Sequence, residues 1–235
     1  MLNINCFTWN KYLPEQELIE GTCSFHSIRN ADYMIKILKN IKINSSYTDN
    51  IKKNIFFKKM TSKKQLDIDL KYLIGNLKNL RLNGKEIKKT IKDKNLSDNI
   101  FPVYYSDCKS EFYSEDILKI KEVKRQKSYI ISFILFKKRL NMISHWCPII
   151  IQKNNNNINV HIVDSYNMTW WGDPRINSLI KHLYPGPKNI SCSKDNIKGD
   201  LFYISKTIFH TVVYFVAIYL FIYAIFYKFK LIQNT

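Results

Sequence analysis

Four residues stand out for their type and spacing: Cys23, His145, Asp164 and Gln16. Cys23 follows Thr22, a good N-cap, and Phe25, Ile28, Ala31, Ile35 and Leu38 then recur on one helical face. The spacing predicts that Cys23 sits in the first turn of a helix. Unpaired N–H groups and the helix dipole stabilise a thiolate there, and the thiolate is the form of cysteine that attacks a carbonyl. The competing reading is a small core residue, since free cysteine is commonly buried.

His145 precedes the strand-like run CPIIIQ, and Asp164 follows the strand-like run INVHIV. With Asn154 and Asn155 at the tip of a hairpin, His145 lies directly opposite Asp164 on one face. An imidazole and its orienting carboxylate require that relation. A register slip of one residue would break it. Trp146 is expected to pack over the imidazole–carboxylate pair and keep water from it. Gln16, seven residues before Cys23, could place its amide beside the Cys23 N–H to hold an oxyanion. A surface glutamine is the alternative. His26 is a rival base, but three residues beyond Cys23 on the same helix it is expected to pack or cap locally. His161 alternates within a strand and reads as structural or exposed, and His182 and His210 have no evident partner in the sequence.

The elements that must position these groups point to an α+β domain. Residues 1–22 are mixed, with Pro14 and Gly21 as breakers, and residues 44–65 read as a loop or weak helix. Leu66, Leu70, Leu73, Leu77 and Leu80 predict a helix over 66–82, stopped by Asn83-Gly84, with a third, basic helix over 85–100. Tyr129–Phe136, Cys147–Gln152 and Ile158–Val163 predict three strands, with a turn in the run Asn154–Asn157. The expectation is an N-terminal helical half followed by an antiparallel sheet. Residues 166–200, with Trp170 and Trp171, read as a closing cap.

A chain of 235 residues suits one domain with an appendage. The net charge of +18 would suit nucleic acid or anionic lipid. The lysines, however, are scattered among Asn and Ile with no compact Arg-rich patch, which points away from nucleic acid. The cysteines Cys6, Cys23, Cys108, Cys147 and Cys192 form no C-x-x-C pair, so neither a disulfide framework nor a metal site is suggested, and no cofactor is implied. The N-terminus lacks the pattern of a signal peptide. Ile208–Tyr227 is twenty residues free of Asp, Glu, Lys and Arg, the length of a bilayer-crossing helix. The expected organisation is a domain over 1–205 and a single-pass membrane tail anchor over 206–235, with the domain facing the cytosol. A buried core helix is the alternative for the tail.

The order Cys, then a distant His-Trp, then Asp-Ser resembles the papain-like cysteine protease superfamily, and most closely the Josephin-type deubiquitinases. Gly21-Thr-Cys-Ser-Phe-His-Ser-Ile-Arg-Asn30 keeps Cys23, His26, Ile28 and Asn30 of their nucleophile stretch. His145-Trp146 through Asp164-Ser165 is similar to their second stretch, with a longer turn and Asp where they have Asn. Gln16 matches their oxyanion glutamine in role, at a spacing two residues longer. Residues from about 40 to 128 have no counterpart. SUMO-type proteases share the His-Trp and Asp-Ser pair but place the Cys last, and transglutaminase-like hydrolases place the His much closer to the Cys. The resemblance implies a cysteine-dependent protease or isopeptidase, with ubiquitin or ubiquitin-like conjugates as partners. Two other classes remain: a membrane-anchored scaffold with an inactive hydrolase fold, and a basic module binding nucleic acid or anionic membrane.

Overall fold

The computed structural model describes residues 2–16, 21–42, 44–77, 80–106, 111–112, 129–137, 144–154, 157–166 and 173–192. In chain order the elements are β1 (Leu2–Thr8), a 3-10 turn (Asn10–Tyr12), α1 (Cys23–Lys39), α2 (Tyr47–Lys53), α3 (Ile55–Thr61), α4 (Lys63–Ile74) and α5 (Gly84–Asp93). Then come β2 (Ile100–Ser106), β3 (Glu111–Phe112), β4 (Ile130–Lys137), β5 (Ser144–Asn154), β6 (Asn157–Ile162), α6 (Pro174–Leu183) and β7 (Lys188–Cys192). The chain is α+β, as the sequence predicts. The seven-stranded sheet has the order β3-β2-β4-β5-β6-β1-β7.

The sheet is mixed rather than purely antiparallel. The β2–β3, β4–β5 and β5–β6 pairs are antiparallel, whereas β1 lies parallel to both β6 and β7, and β2 parallel to β4. The stretch read as mixed at the N-terminus supplies the strand between β6 and β7. Ile4 and Cys6 of β1 are buried beside Val160 and Ile162 of β6, and Asn5 donates to Asn159 Oδ1 at 3.0 Å. The region read as a closing cap supplies α6 and β7. Trp170 and Trp171 lie outside the described residues.

Both faces of the sheet are covered, which accounts for the nearly unbroken apolar runs of β5 and β6. Trp146, Ile150 and Val163 join one core with α1 and the helices around it. Cys147, Ile149 and Ile162 join a second core with Ile176, Leu179 and Leu183 of α6. Phe25, Ile28, Ala31, Ile35 and Leu38 of α1 are all fully buried. Thr22 stands at the N-cap of α1, but its hydroxyl caps nothing and is buried without a partner among the described residues.

The middle helices differ from expectation in their boundaries. Residues 44–65 form α2, α3 and the start of α4. α4 ends at Gly75, whose φ of +52° suits glycine, so the predicted helix over 66–82 stops early. Leu66 and Leu73 are buried, whereas Leu77, beyond that stop, is exposed. Asn83-Gly84 starts α5 instead of stopping α4. Asn83 Oδ1 accepts from the Lys85 and Glu86 N–H groups, and Glu86 Oε2 accepts from the Asn83 N–H at 2.7 Å. Asn83→Ala removes that box and is expected to cost about 1 kcal/mol of stability, read from a urea midpoint.

These residues fall within one unit, Met1–Ser193. The second unit, Lys194–Thr235, lies outside the described residues, and with it the predicted span Ile208–Tyr227. Among the described residues no helix is long and apolar enough to cross a membrane.

Candidate active site

Cys23 is the first residue of α1 and is partly exposed, unlike Cys6 and Cys147, which are buried. Its N–H lies in the first turn, where no intrahelical acceptor exists. His145 sits near the start of β5 and Asp164 two residues beyond the end of β6. The His145 Nε2–H donates to Asp164 Oδ1 at 2.8 Å, with both residues buried. Cys23 lies near enough to the same imidazole that its side chain helps raise the His145 pKa. Since Nε2 is taken by the carboxylate, Nδ1 is left for the sulfur. Three elements far apart in the chain thus converge on one imidazole.

The hairpin delivers this contact through a register different from the one expected. Asn154 pairs with Asn157, and Ile149 faces Ile162 rather than Val160. The pairing is therefore displaced by two residues, and His145 and Asp164 are diagonal instead of directly opposite. Side chains alternate with a period of two, so this displacement keeps both on one face. The extended register brings His145 level with Tyr166, and their rings lie 5.5 Å apart at 57°. Tyr166, not Trp146, is the aromatic on the imidazole. Trp146 points to the other face, donates its indole N–H to the Leu82 carbonyl and meets Tyr104 edge-on.

The carboxylate of Asp164 is held from its own turn. The Tyr166 N–H donates to Asp164 Oδ1 at 3.0 Å, the same oxygen that receives His145. The Asp164 N–H donates to Asn10 Oδ1 at 2.8 Å. Gln16 is buried beside this turn: its N–H donates to the Ser165 carbonyl, and its Oε1 accepts from the Ser165 hydroxyl at 3.4 Å. Parallel pairing of β1 with β6 explains this placement. Thr8 is level with Ile162, so both strands leave the sheet at the same end, and residues 9–16 run alongside residues 163–166.

Electrostatics separate the two histidines. Burial works against charge on His145, but the charge and hydrogen bond of Asp164, together with the Cys23 contact, outweigh it and raise its pKa well above 6.5. His26 is buried on α1, and its pKa is lowered to about 4 by burial first, then by the charges of Arg29 and His145. It is neutral at neutral pH, and its Nδ1 has no partner among the described residues. His145 is therefore the basic group of the pair. His161 belongs to the core: Trp9 Nε1–H donates to its Nδ1 at 3.0 Å and Tyr47 Oη lies 3.0 Å from its Nε2.

Asn10 and Tyr166 belong to the site without having been singled out from the sequence. Tyr166 follows once Asn154 is paired with Asn157. Asn10 has no signal of its own, because its place depends on β1. No cluster of three or more His, Cys, Asp or Glu that could hold a metal ion occurs among the described residues. The chain matches no family model, no curated protein and no solved structure.

Proposed function

We propose that this chain is a cysteine-dependent hydrolase of the papain-like kind, a protease or isopeptidase that removes ubiquitin or a ubiquitin-like modifier. The observation that supports it is the imidazole of His145, hydrogen-bonded through Nε2 to Asp164 and near enough to Cys23 for that side chain to help raise its pKa. In this reading His145 Nδ1 takes the thiol proton of Cys23, and the sulfur attacks the carbonyl carbon of the scissile bond. The Cys23 N–H and the Gln16 amide hold the oxyanion. His145 returns the proton to the leaving amine, and an acyl thioester remains on Cys23. Water, deprotonated by His145, then attacks that thioester and frees the thiol. Asp164 keeps the imidazole turned and stabilises its charged form.

The modifier class rests on the resemblance of the Gly21–Asn30 and His145–Ser165 stretches to Josephin-type enzymes. Membrane attachment through Ile208–Tyr227 rests on that span's length and lack of charge. The test uses the full chain in detergent and its Cys23→Ala variant, each incubated with ubiquitin and ubiquitin-like probes bearing a C-terminal electrophile. A covalent adduct on the parent and none on the variant is the expected result. No adduct on a folded parent with any probe would remove the modifier reading.

A further inference from the structure

The nucleophile and its two partners reside on a helix and on the ends of two strands, so their alignment depends on how α1 is rolled against the sheet. Cys23, Ser27 and Asn30 occupy positions i, i+4 and i+7 of α1, which is one stripe of the helix. The Ser27 hydroxyl donates to the carbonyl of Trp146 at 2.5 Å, the residue next to His145. The Asn30 Nδ2 donates to the carbonyl of Val163 at 3.4 Å, the residue before Asp164. Ser27 is 3% and Asn30 1% exposed, so water does not compete for these bonds.

Each tether reaches a different catalytic strand, and both leave from the stripe that carries the sulfur. Apolar packing alone fixes the roll of a helix loosely, because shifted ridges and grooves can still interlock. Two directional bonds to two fixed carbonyls do not permit that freedom. Asn30 is itself held, since its Oδ1 accepts from the Arg29 Nη1–H at 3.1 Å. Arg29 in turn is bonded to Asp69 and to the carbonyls of Lys59 and Met60. The stripe is thereby anchored to α3 and α4 as well as to the sheet.

We propose that Ser27 and Asn30 are positioning residues that form a clamp, setting the roll of α1 so that Cys23 meets His145. This rests on the hydrolase reading above. Neither residue touches the reacting atoms. Loss of one tether lets the sulfur drift from the imidazole, and misplacement by about 1 Å costs on the order of a hundredfold in such sites. A partial loosening is therefore expected to cost about tenfold. Sensitivity to pH enters through His145, which faces Asp164, Cys23 and His26.

The experiment measures iodoacetamide alkylation of Cys23 in the full chain from pH 4 to pH 9, by mass spectrometry of the tryptic peptide Tyr12–Arg29. Cys23 is its one cysteine. The parent should react through a low-pH limb, the signature of a sulfur paired with an imidazole. Ser27→Ala and Asn30→Ala should each move that limb up by about one pH unit and slow the reaction at pH 6 about tenfold. Ser27→Thr, which keeps the hydroxyl, should restore the parent profile. A merely stabilising role would lower the melting temperature and leave the limb in place. Either alanine variant decides the matter if the other fails to fold. A parent limb with unmoved variant limbs overturns the clamp alone. A parent without a low-pH limb overturns the clamp together with the hydrolase reading.

Discussion

Asp164→Ala is expected to lower turnover and probe labelling by about a thousandfold, whereas Asp164→Asn should cost clearly less. The difference follows from one oxygen. Asp164 Oδ1 accepts both the Tyr166 N–H and the His145 Nε2–H. An asparagine at this position must turn its carbonyl toward the Tyr166 N–H, because its NH2 would face a donor there. The same carbonyl then meets His145 Nε2–H and preserves the tautomer that presents Nδ1 to the sulfur. What the asparagine loses is charge. The Asp164 carboxylate is a main cause of the raised His145 pKa. Without it the imidazolium gives up its proton at lower pH, so the alkaline limb of kcat/KM should move down in the Asn variant. A pH–rate series on the three proteins checks both statements. Equal losses in the two variants would mean that charge matters and orientation does not. Undiminished activity in Asp164→Ala would remove the carboxylate from the mechanism.

The position of Cys23 was readable because α1 is specified locally: apolar residues at helical spacing follow Thr22, and each of them is buried. The facing of His145 and Asp164 was readable for a different reason. Four consecutive asparagines, Asn154–Asn157, offer several equivalent tips for the hairpin, and the chosen tip gave a register displaced by two. An even displacement leaves every side chain on its own face, so the pair survived the error. Alternation should also have ruled out Trp146 as the cover over the imidazole, since adjacent residues of a strand face opposite ways.

What was hidden depends on distant pairing. β1 is polar at Asn3 and Asn5 and apolar at Ile4 and Cys6, a pattern too short to stand out by itself. Its partners β6 and β7 lie more than 150 positions away, and parallel neighbours leave no local turn signal. Gln16 could be named by its amide but not placed, because only the shared exit of β1 and β6 brings it to Ser165. The limit of α4 is a case of competing local rules. Asn-Gly can end one helix or begin another, and Glu86, three residues after Asn83, decides for a beginning.

Replacing His161 is expected to destabilise the protein by about 3 kcal/mol at pH 7 and also to flatten its response to acid. The Trp9 indole N–H donates to His161 Nδ1, which fixes the proton on Nε2, and that N–H donates to Tyr47 Oη. The Tyr47 hydroxyl donates onward to Gln152 Oε1, which also accepts from Asn159 at 3.4 Å. His161→Leu leaves the Trp9 N–H buried with no acceptor and takes from Tyr47 its donor, a cost of one to three kcal/mol for each such group, by about the usual range. Burial also lowers the His161 pKa to about 3, against about 6.5 in the unfolded chain. Between those values the unfolded chain binds a proton that the folded one refuses, so stability falls as pH drops below about 6.5. Each such histidine contributes about 1.4 kcal/mol per pH unit. His26, lowered to about 4, acts in the same direction. His145 adds no slope there, being protonated in both states, and its contribution is lost instead as pH rises above about 6.5. The parent should therefore be most stable near pH 6.5. The Leu variant should lose stability in acid about half as steeply, so that the two curves meet roughly two pH units below that maximum. Urea midpoints from pH 7.5 down to 4.5 test this. Parallel curves would mean that His161 takes up its proton as readily in the fold as in the unfolded chain, and that its Nδ1 does not serve as the acceptor for Trp9.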